Sequence, residues 1–313
     1  MATEAMTVGQ LVTFNVYLGL AVWPIFAIGE LINVMQQGNA SLDRVQGTLS
    51  YEADVQNTVN PQAVTTPHSI GFADLSFQYP MSQVKNLQQI SLSLKKGETL
   101  GIVGKTGAGK TTFLRQLLRE YPIGEGQLSI DGVDITAQTK EQLLDWIGYV
   151  PQDHVLFSRT IRENILFGKE DATEAELQKA IYAAYFEKDL ANLSMGLETL
   201  VGEKGVSLSG GQKQRVSIAR ALIKDPEILI LDDSLSAVDA KTEAKIIENI
   251  QRERQNKTTI ITTHRLSGIQ HADLIIVLDE GQVVEQGTHD QLLSQQGWYR
   301  EQFDRQQLEG GAS

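Results

Sequence analysis

The 313-residue chain contains no cysteine, which excludes a disulfide framework, a thiolate metal site and a cysteine nucleophile. It is also short of positive charge. Lys and Arg number 27 against 39 Asp and Glu, a net charge of −12. A nucleic-acid partner is therefore not expected, since neutralising phosphates takes a basic face. Long apolar runs are scarce too: only residues 11–32 approach the length that crosses a bilayer. No Lys or Arg precedes that run and no small-residue cleavage site follows it, so a secretory signal fits poorly. Pro24 suggests a kink within it, and polar Asn15 suggests a face turned to other helices or a cavity. Internal repeats are lacking. Residues 47–67, with scattered Asn, Gln and Thr and no sustained period, read as a linker.

What is present is concentrated in glycine-rich stretches. Gly104-Lys105-Thr106-Gly107-Ala108-Gly109-Lys110-Thr111 meets the phosphate-loop pattern at every fixed position. It follows a strand-like run at 99–103 and opens a helical pattern at 113–119, the context this motif needs. Glycines let successive N–H groups face one point, where a helix N-terminus adds partial positive charge. Lys110 is then placed for the β- and γ-phosphates of a nucleotide and the Thr111 hydroxyl for Mg²⁺, with Thr112 beside them. A second anion cradle, Leu208-Ser209-Gly210-Gly211-Gln212, joins a good N-cap to bare backbone ahead of a long helical pattern. One subunit does not need two cradles for one nucleotide.

That second stretch, continued by Lys213-Gln214-Arg215-Val216, resembles the signature of ATP-binding-cassette (ABC) proteins, and other pieces fall in the family's order. Asp232 ends the apolar run at 228–231 and resembles the Walker B aspartate that holds Mg²⁺. Gln152 resembles the Q-loop glutamine linking Mg²⁺ and the attacking water to the membrane domain, and His264 the switch histidine at the γ-phosphate. Tyr79 sits where the family stacks an aromatic ring on adenine. Ser236-Ala237-Val238-Asp239 resembles the D-loop, which crosses to the other nucleotide site, and Glu203 the loop that exporters turn to their intracellular helices.

The resemblance covers about residues 70–307 and implies an α/β fold. It would be a P-loop NTPase with a RecA-like core, an antiparallel β subdomain and an α-helical signature subdomain, preceded by one long transmembrane-type helix. The expected division is 1–46 for the last transmembrane helix and its cytoplasmic extension, 47–67 for the linker, 68–307 for the ATP-binding domain and 308–313 for a tail. Within the domain, residues 72–79 and 90–94 alternate as half-buried antiparallel strands. Residues 138–209 read mainly as helix, and 274–286 as a hairpin turning at Glu280-Gly281. An amphipathic helix through Trp298, Tyr299 and Phe303 closes the chain.

Asn39-Ala40-Ser41-Leu42-Asp43-Arg44-Val45 resembles the end of the last membrane helix of bacterial multidrug exporters, with Arg44 on the cytoplasmic side. The implied setting is the cell membrane, crossed once, with a cytoplasmic ATPase domain. Exporter halves of this family carry six membrane helices, so the chain is expected to be the C-terminal part of a longer subunit or a truncated reading frame. The implied function is coupling of ATP-driven dimerisation to export of drug-like or lipid-like molecules, with ATP and Mg²⁺ as cofactors.

One position departs from the family. The residue after the Walker B aspartate is normally Glu, and here it is Asp233. Shortened by one methylene, about 1.5 Å, its carboxylate falls back from the water a general base must touch. Asp-for-Glu beside an intact signature resembles the degenerate member of heterodimeric exporters, which implies a second half-exporter subunit as partner and a slow site in this chain. The alternatives are a non-catalytic ATP-dependent clamp and, opposed by the acidic charge, a soluble ABC ATPase acting on ribosome or DNA.

Overall fold

The computed structural model describes residues 6–62, 64–202 and 207–310. The chain divides between Asp54 and Val55 into two compact units. The first is a helix, α1 (Val8–Leu49), of 42 residues. Thr7 and Gln10 cap its start reciprocally, each side chain meeting the other's backbone N–H. The helix runs on through Pro24 and past the 11–32 run, none of its residues is buried, and its most apolar 18-residue window has a mean hydropathy of 1.9. It is long and apolar enough to cross a membrane. A helix of a soluble core would bury one stripe of its surface.

The second unit holds the strands β1 (Ser69–Phe77), β2 (Leu87–Lys95), β3 (Thr99–Gly104), β4 (Glu125–Ile130), β5 (Val133–Asp134), β6 (Ile147–Val150), β7 (Ile228–Asp232), β8 (Thr258–Thr262), β9 (Leu274–Asp279) and β10 (Gln282–Gly287). They form two sheets. One is antiparallel, in the order β2-β1-β4-β5. The other runs β10-β9-β3-β8-β7-β6 and is parallel except for β10. Every residue of β7 and β8 is buried, as strands covered on both faces require. The helices are α2 (Lys110–Leu117), α3 (Lys140–Trp146), α4 (Ile161–Leu166), α5 (Glu174–Ala183), α6 (Glu187–Leu190), α7 (Gly210–Leu222), α8 (Ala240–Glu253), α9 (His289–Ser294) and α10 (Trp298–Gly310). This is the α/β P-loop NTPase arrangement expected of the sequence.

Two cores position the site. Phe113, Leu114 and Leu117 of α2 are fully buried in a core shared with β1, β2 and β3, where Phe113 stacks on Phe72 at 4.5 Å. At about 1.5–3 kcal/mol for each such side chain, that burial fixes the helix whose first turn ends the phosphate loop. The second core joins the other face of the parallel sheet to α4, α5, α7 and α8 through Leu229, Leu177, Ile218 and Ile246.

The hairpin between β9 and β10 turns at Glu280 and Gly281, with φ of 48° and 79°, the paired positive values that a two-residue turn of matching twist needs. The 138–209 region departs from the mainly helical reading. Ile147–Val150 forms strand β6, parallel to β7, between short helices. A four-residue apolar run gives no period by which to tell strand from helix. The stretch read as a linker is helical to Leu49, and from Gln56 onward it is fastened to the second unit. Gln56 O accepts from Arg119 at 3.1 Å, Asn57 bonds Lys140 N and Glu141 at 2.7 Å each, and Gln62 N donates to Ala137 O at 2.8 Å.

Candidate functional site

The carboxyl ends of β3, β8 and β7 lie side by side, so the segments that leave them meet at one edge of the sheet, where open α/β sheets bind ligands. From β3 the chain enters the phosphate loop. A Cβ on Gly104 would lie 2.1 Å from Leu278 O, and one on Gly109, at φ 106°, 2.8 Å from Asn86 O, so the loop's path against its neighbours admits only glycine there. Gly109 caps α2 with no side-chain bond, which leaves the first-turn N–H groups facing outward for an anion. Lys105, Thr106 and Gly107 form the exposed rim, and Ala108 is buried beneath it.

Lys110 is 8 % exposed, and its Nζ donates to Gly104 O at 2.8 Å and Lys105 O at 3.0 Å. Burial pushes its pKa down, while the carboxylates of Asp233 and Asp232 push it back up. The ammonium is thus held inside the loop at the mouth of a site that a triphosphate would enter.

Asp232, 2 % exposed, is surrounded by hydroxyls. Its Oδ1 accepts from Thr262 Oγ1 at 2.6 Å and Thr111 Oγ1 at 3.4 Å, and its Oδ2 from Tyr149 OH at 3.3 Å. Burial, with the Asp232 charge added, raises the Tyr149 phenol well above its ordinary pKa, so it stays a donor. Thr111 and Asp232 offer the oxygen-only donors a hard cation takes, and no group of three or more acidic, His or Cys side chains surrounds them among the described residues. That pair fits Mg²⁺ shared with substrate phosphates rather than caged by protein. Bound there, Mg²⁺ would neutralise charge on the β- and γ-phosphate oxygens.

Asp233 follows in the left-handed region, with φ 46°, held by its N–H donating to Thr262 O at 3.0 Å. Burial raises its pKa and Asp232 raises it further; His264 and Lys110 oppose both. The His264 side chain is exposed beside it. The structure therefore brings Lys110, Thr111, Asp232, Asp233 and His264 together. Gln152, two residues beyond β6, is exposed and among the described residues bonds none of them. Sequence reasoning passed over Tyr149 and Thr262. Their common signal was a hydroxyl near the end of a buried strand.

Tyr79 lies against the outside of α2. Its hydroxyl donates to Thr112 Oγ1 at 3.2 Å, and its ring meets Phe77 and Tyr121 edge-on, each with centroids 4.9 Å apart. Tyr79→Ala is expected to weaken nucleotide binding by about 0.5–2 kcal/mol through loss of an aromatic stacking surface. Titration calorimetry checks this, and a silent Tyr79→Ala beside a weakened Tyr121→Ala would move the base elsewhere.

The signature stretch is built apart from this cluster. Ser209 caps α7, accepting from Gln212 N, while Gln212 returns a bond to Ser209 N. Behind them Asp189 takes both Arg215 bonds, at 2.8 and 2.9 Å, and one from Gln212. Leu208 is buried, Ser209 and Gly210 are exposed, and Gly211 is half-buried. No hydrogen bond among the described residues joins 208–212 to 104–112. The two D-loop side chains are used locally: Ser236 Oγ donates to Asp233 O at 3.0 Å, and Asp239 caps α8 by accepting from Thr242 N. Glu203 lies outside the described residues.

Against this geometry, the family model described as ABC transporter matches residues 87–236. A probable multidrug resistance ABC transporter ATP-binding/permease protein of Bacillus subtilis, YheI, is 63 % identical over 98 % of this chain and 53 % of its own length. The multidrug resistance-like ATP-binding protein MdlA of Escherichia coli is 41 % identical over 97 % of this chain and 52 % of its own. Among solved structures, a bacterial Atm1-family ABC exporter with ATP bound superposes with a TM-score of 0.85 at 38 % identity, covering 98 % of this chain and 54 % of that one. The chain spans about half the length of the curated relatives it matches.

Proposed function

Because the chain carries a nucleotide-binding domain of the ABC transporter family, we propose that it binds and hydrolyses MgATP as the motor portion of an export subunit. The observation that carries this reading is the separation of two anion cradles. Lys110, Thr111, Asp232, Asp233 and His264 make one site within the chain, while Ser209, Gly210 and Gly211 present a second cradle with no phosphate group of its own to serve. A second half-exporter subunit, bringing ATP on its own phosphate loop, satisfies that cradle and makes the dimer the working unit.

The apolar residues 11–32 support a setting in the cell membrane with the ATPase domain on the cytoplasmic side, and the relatives described as multidrug proteins support apolar, drug-like or lipid-like cargo. Within the site Lys110 holds phosphate oxygens, Thr111 and Asp232 fit the cation, Gln152 reaches in from the rim when the site closes, and Asp233 with His264 orients the attacking water.

Asp233 supports a second layer of the proposal. Its short side chain on a left-handed backbone makes this chain's own site slow, so a heterodimeric partner's site, completed by this chain's signature, carries the flux. Asp233→Glu should then raise single-site turnover about tenfold or more, within the roughly 10²–10⁴ that general-base assistance contributes. Asp233→Asn should change turnover of the assembled pair little. If Asp233→Asn stopped the pair and Asp233→Glu gained nothing, Asp233 would already be a competent base. A chain that binds MgATP and dimerises yet shows no turnover with any partner would instead be a clamp, the reading that Asp233 also supports.

A further inference from the structure

The loop at residues 236–238 is held from two sides by groups that the nucleotide site does not use. On one side Arg265, the residue after His264, donates from Nη2 to Ser236 O at 3.0 Å and from Nη1 to Val238 O at 2.7 Å. The same Nη1 reaches Glu243 Oε2 at 3.3 Å, and Glu243 is 1 % exposed in α8. Arg265 N also donates to Thr263 Oγ1 at 3.0 Å, so His264 sits between two anchored neighbours. On the other side Gln214, 1 % exposed in α7, accepts from Ala237 N at 3.1 Å and donates to Ser236 Oγ at 3.4 Å. The start of α7 lies directly on the loop: a Cβ on Gly211 would come 3.1 Å from Ala237 O.

We propose that Arg265 and Gln214 are positioning residues that make the 236–238 loop a relay, passing a shift of the His264 segment on nucleotide binding to the signature that a second subunit reads. This rests on the trans role of the signature proposed above. A guanidinium spanning two carbonyls two residues apart fixes the loop's orientation as well as its distance. A buried amide that loses its partners leaves unpaired polar groups, so α7 follows the loop rather than slipping past it. Close-packed contacts of this kind pass on displacement instead of absorbing it. Glu243 references the guanidinium to α8, whose start Asp239 caps at the far end of the same loop.

The test is amide hydrogen exchange of the full chain in detergent micelles, with and without MgATP, alongside calorimetry for affinity. In the wild type, MgATP should slow exchange at 236–238 and at 210–213 together. Arg265→Ala should bind MgATP nearly as well yet lose the added protection at both segments. Gln214→Leu should keep it at 236–238 and lose it at 210–213. That order is what a relay gives and general loosening does not. Arg265→Ala also strips the buried Glu243 of its cation, so the double variant Arg265→Met, Glu243→Gln is measured beside it and should behave alike. Equal MgATP-induced protection in all variants overturns the relay. Gly210→Asp separates the two readings: its protection pattern should match the wild type whether or not the signature acts in trans, whereas turnover of the assembled pair should fall only if it does.

Discussion

Lys110→Ala is expected to raise the MgATP dissociation constant beyond about a hundredfold, which corresponds to the roughly 3 kcal/mol at the upper end for a charge-assisted hydrogen bond. The structure explains the size. The ammonium is almost wholly buried, and its attachments are the carbonyls of Gly104 and Lys105, which aim it at the centre of the loop. Alanine leaves a hole where the main positive charge stood, facing Asp232 and Asp233, so the remaining field repels a triphosphate. The fold should survive, because α2 is held by Phe113, Leu114 and Leu117 rather than by Lys110. Titration calorimetry reads the effect. Wild-type affinity in Lys110→Ala would mean that the nucleotide sits elsewhere.

Ser209→Ala combined with Gly210→Asp is expected to leave MgATP binding by this chain nearly intact and to lower turnover of the assembled pair about a hundredfold or more. Gly210 is exposed, and its added Cβ would meet Ala237 Cβ at an ordinary 3.4 Å, so the chain tolerates the new side chain. Loss of the Ser209 cap costs about 1 kcal/mol of helix stability, too little to unfold a domain of this size. What changes is the cradle. A carboxylate then stands where the proposed dimer would dock a γ-phosphate, and like charges in a closed interface cost several kcal/mol, or about a hundredfold at 2.7 kcal/mol. Steady-state hydrolysis by the pair measures this, and undiminished turnover would remove the signature from the reacting site.

Much of the site was legible in the sequence because its chemistry sits in residues with few substitutes. Only glycine fits at Gly104 and Gly109, only a long cation spans the loop from Lys110, and the buried run ending in Asp232 announces a strand tip. The hairpin was legible through Gly281, whose positive φ suits glycine, whereas Glu280 at φ 48° carries no such mark. What stayed hidden depends on strand order. Tyr149 and Thr262 reach Asp232 only because β6 and β8 flank β7 from opposite sides, and strands distant in sequence carry no mark of adjacency. The same holds for Arg265 and Gln214, whose partners lie across the fold and are largely backbone groups. The fastening of Asn57 and Gln62 was hidden too, because their bonds go to α3 and the loop before it and leave no periodic trace.

The central claim, that this chain's signature serves a nucleotide held by another subunit, is tested most directly by thiol cross-linking, which a chain without cysteine makes clean. Ser209→Cys in this chain should form a disulfide with a cysteine placed in the phosphate loop of the partner subunit, and only when MgATP is present. The doubly substituted chain Lys105→Cys, Ser209→Cys should form no internal bridge under the same conditions. A MgATP-dependent bridge within the single chain, with none between subunits, would contradict the account.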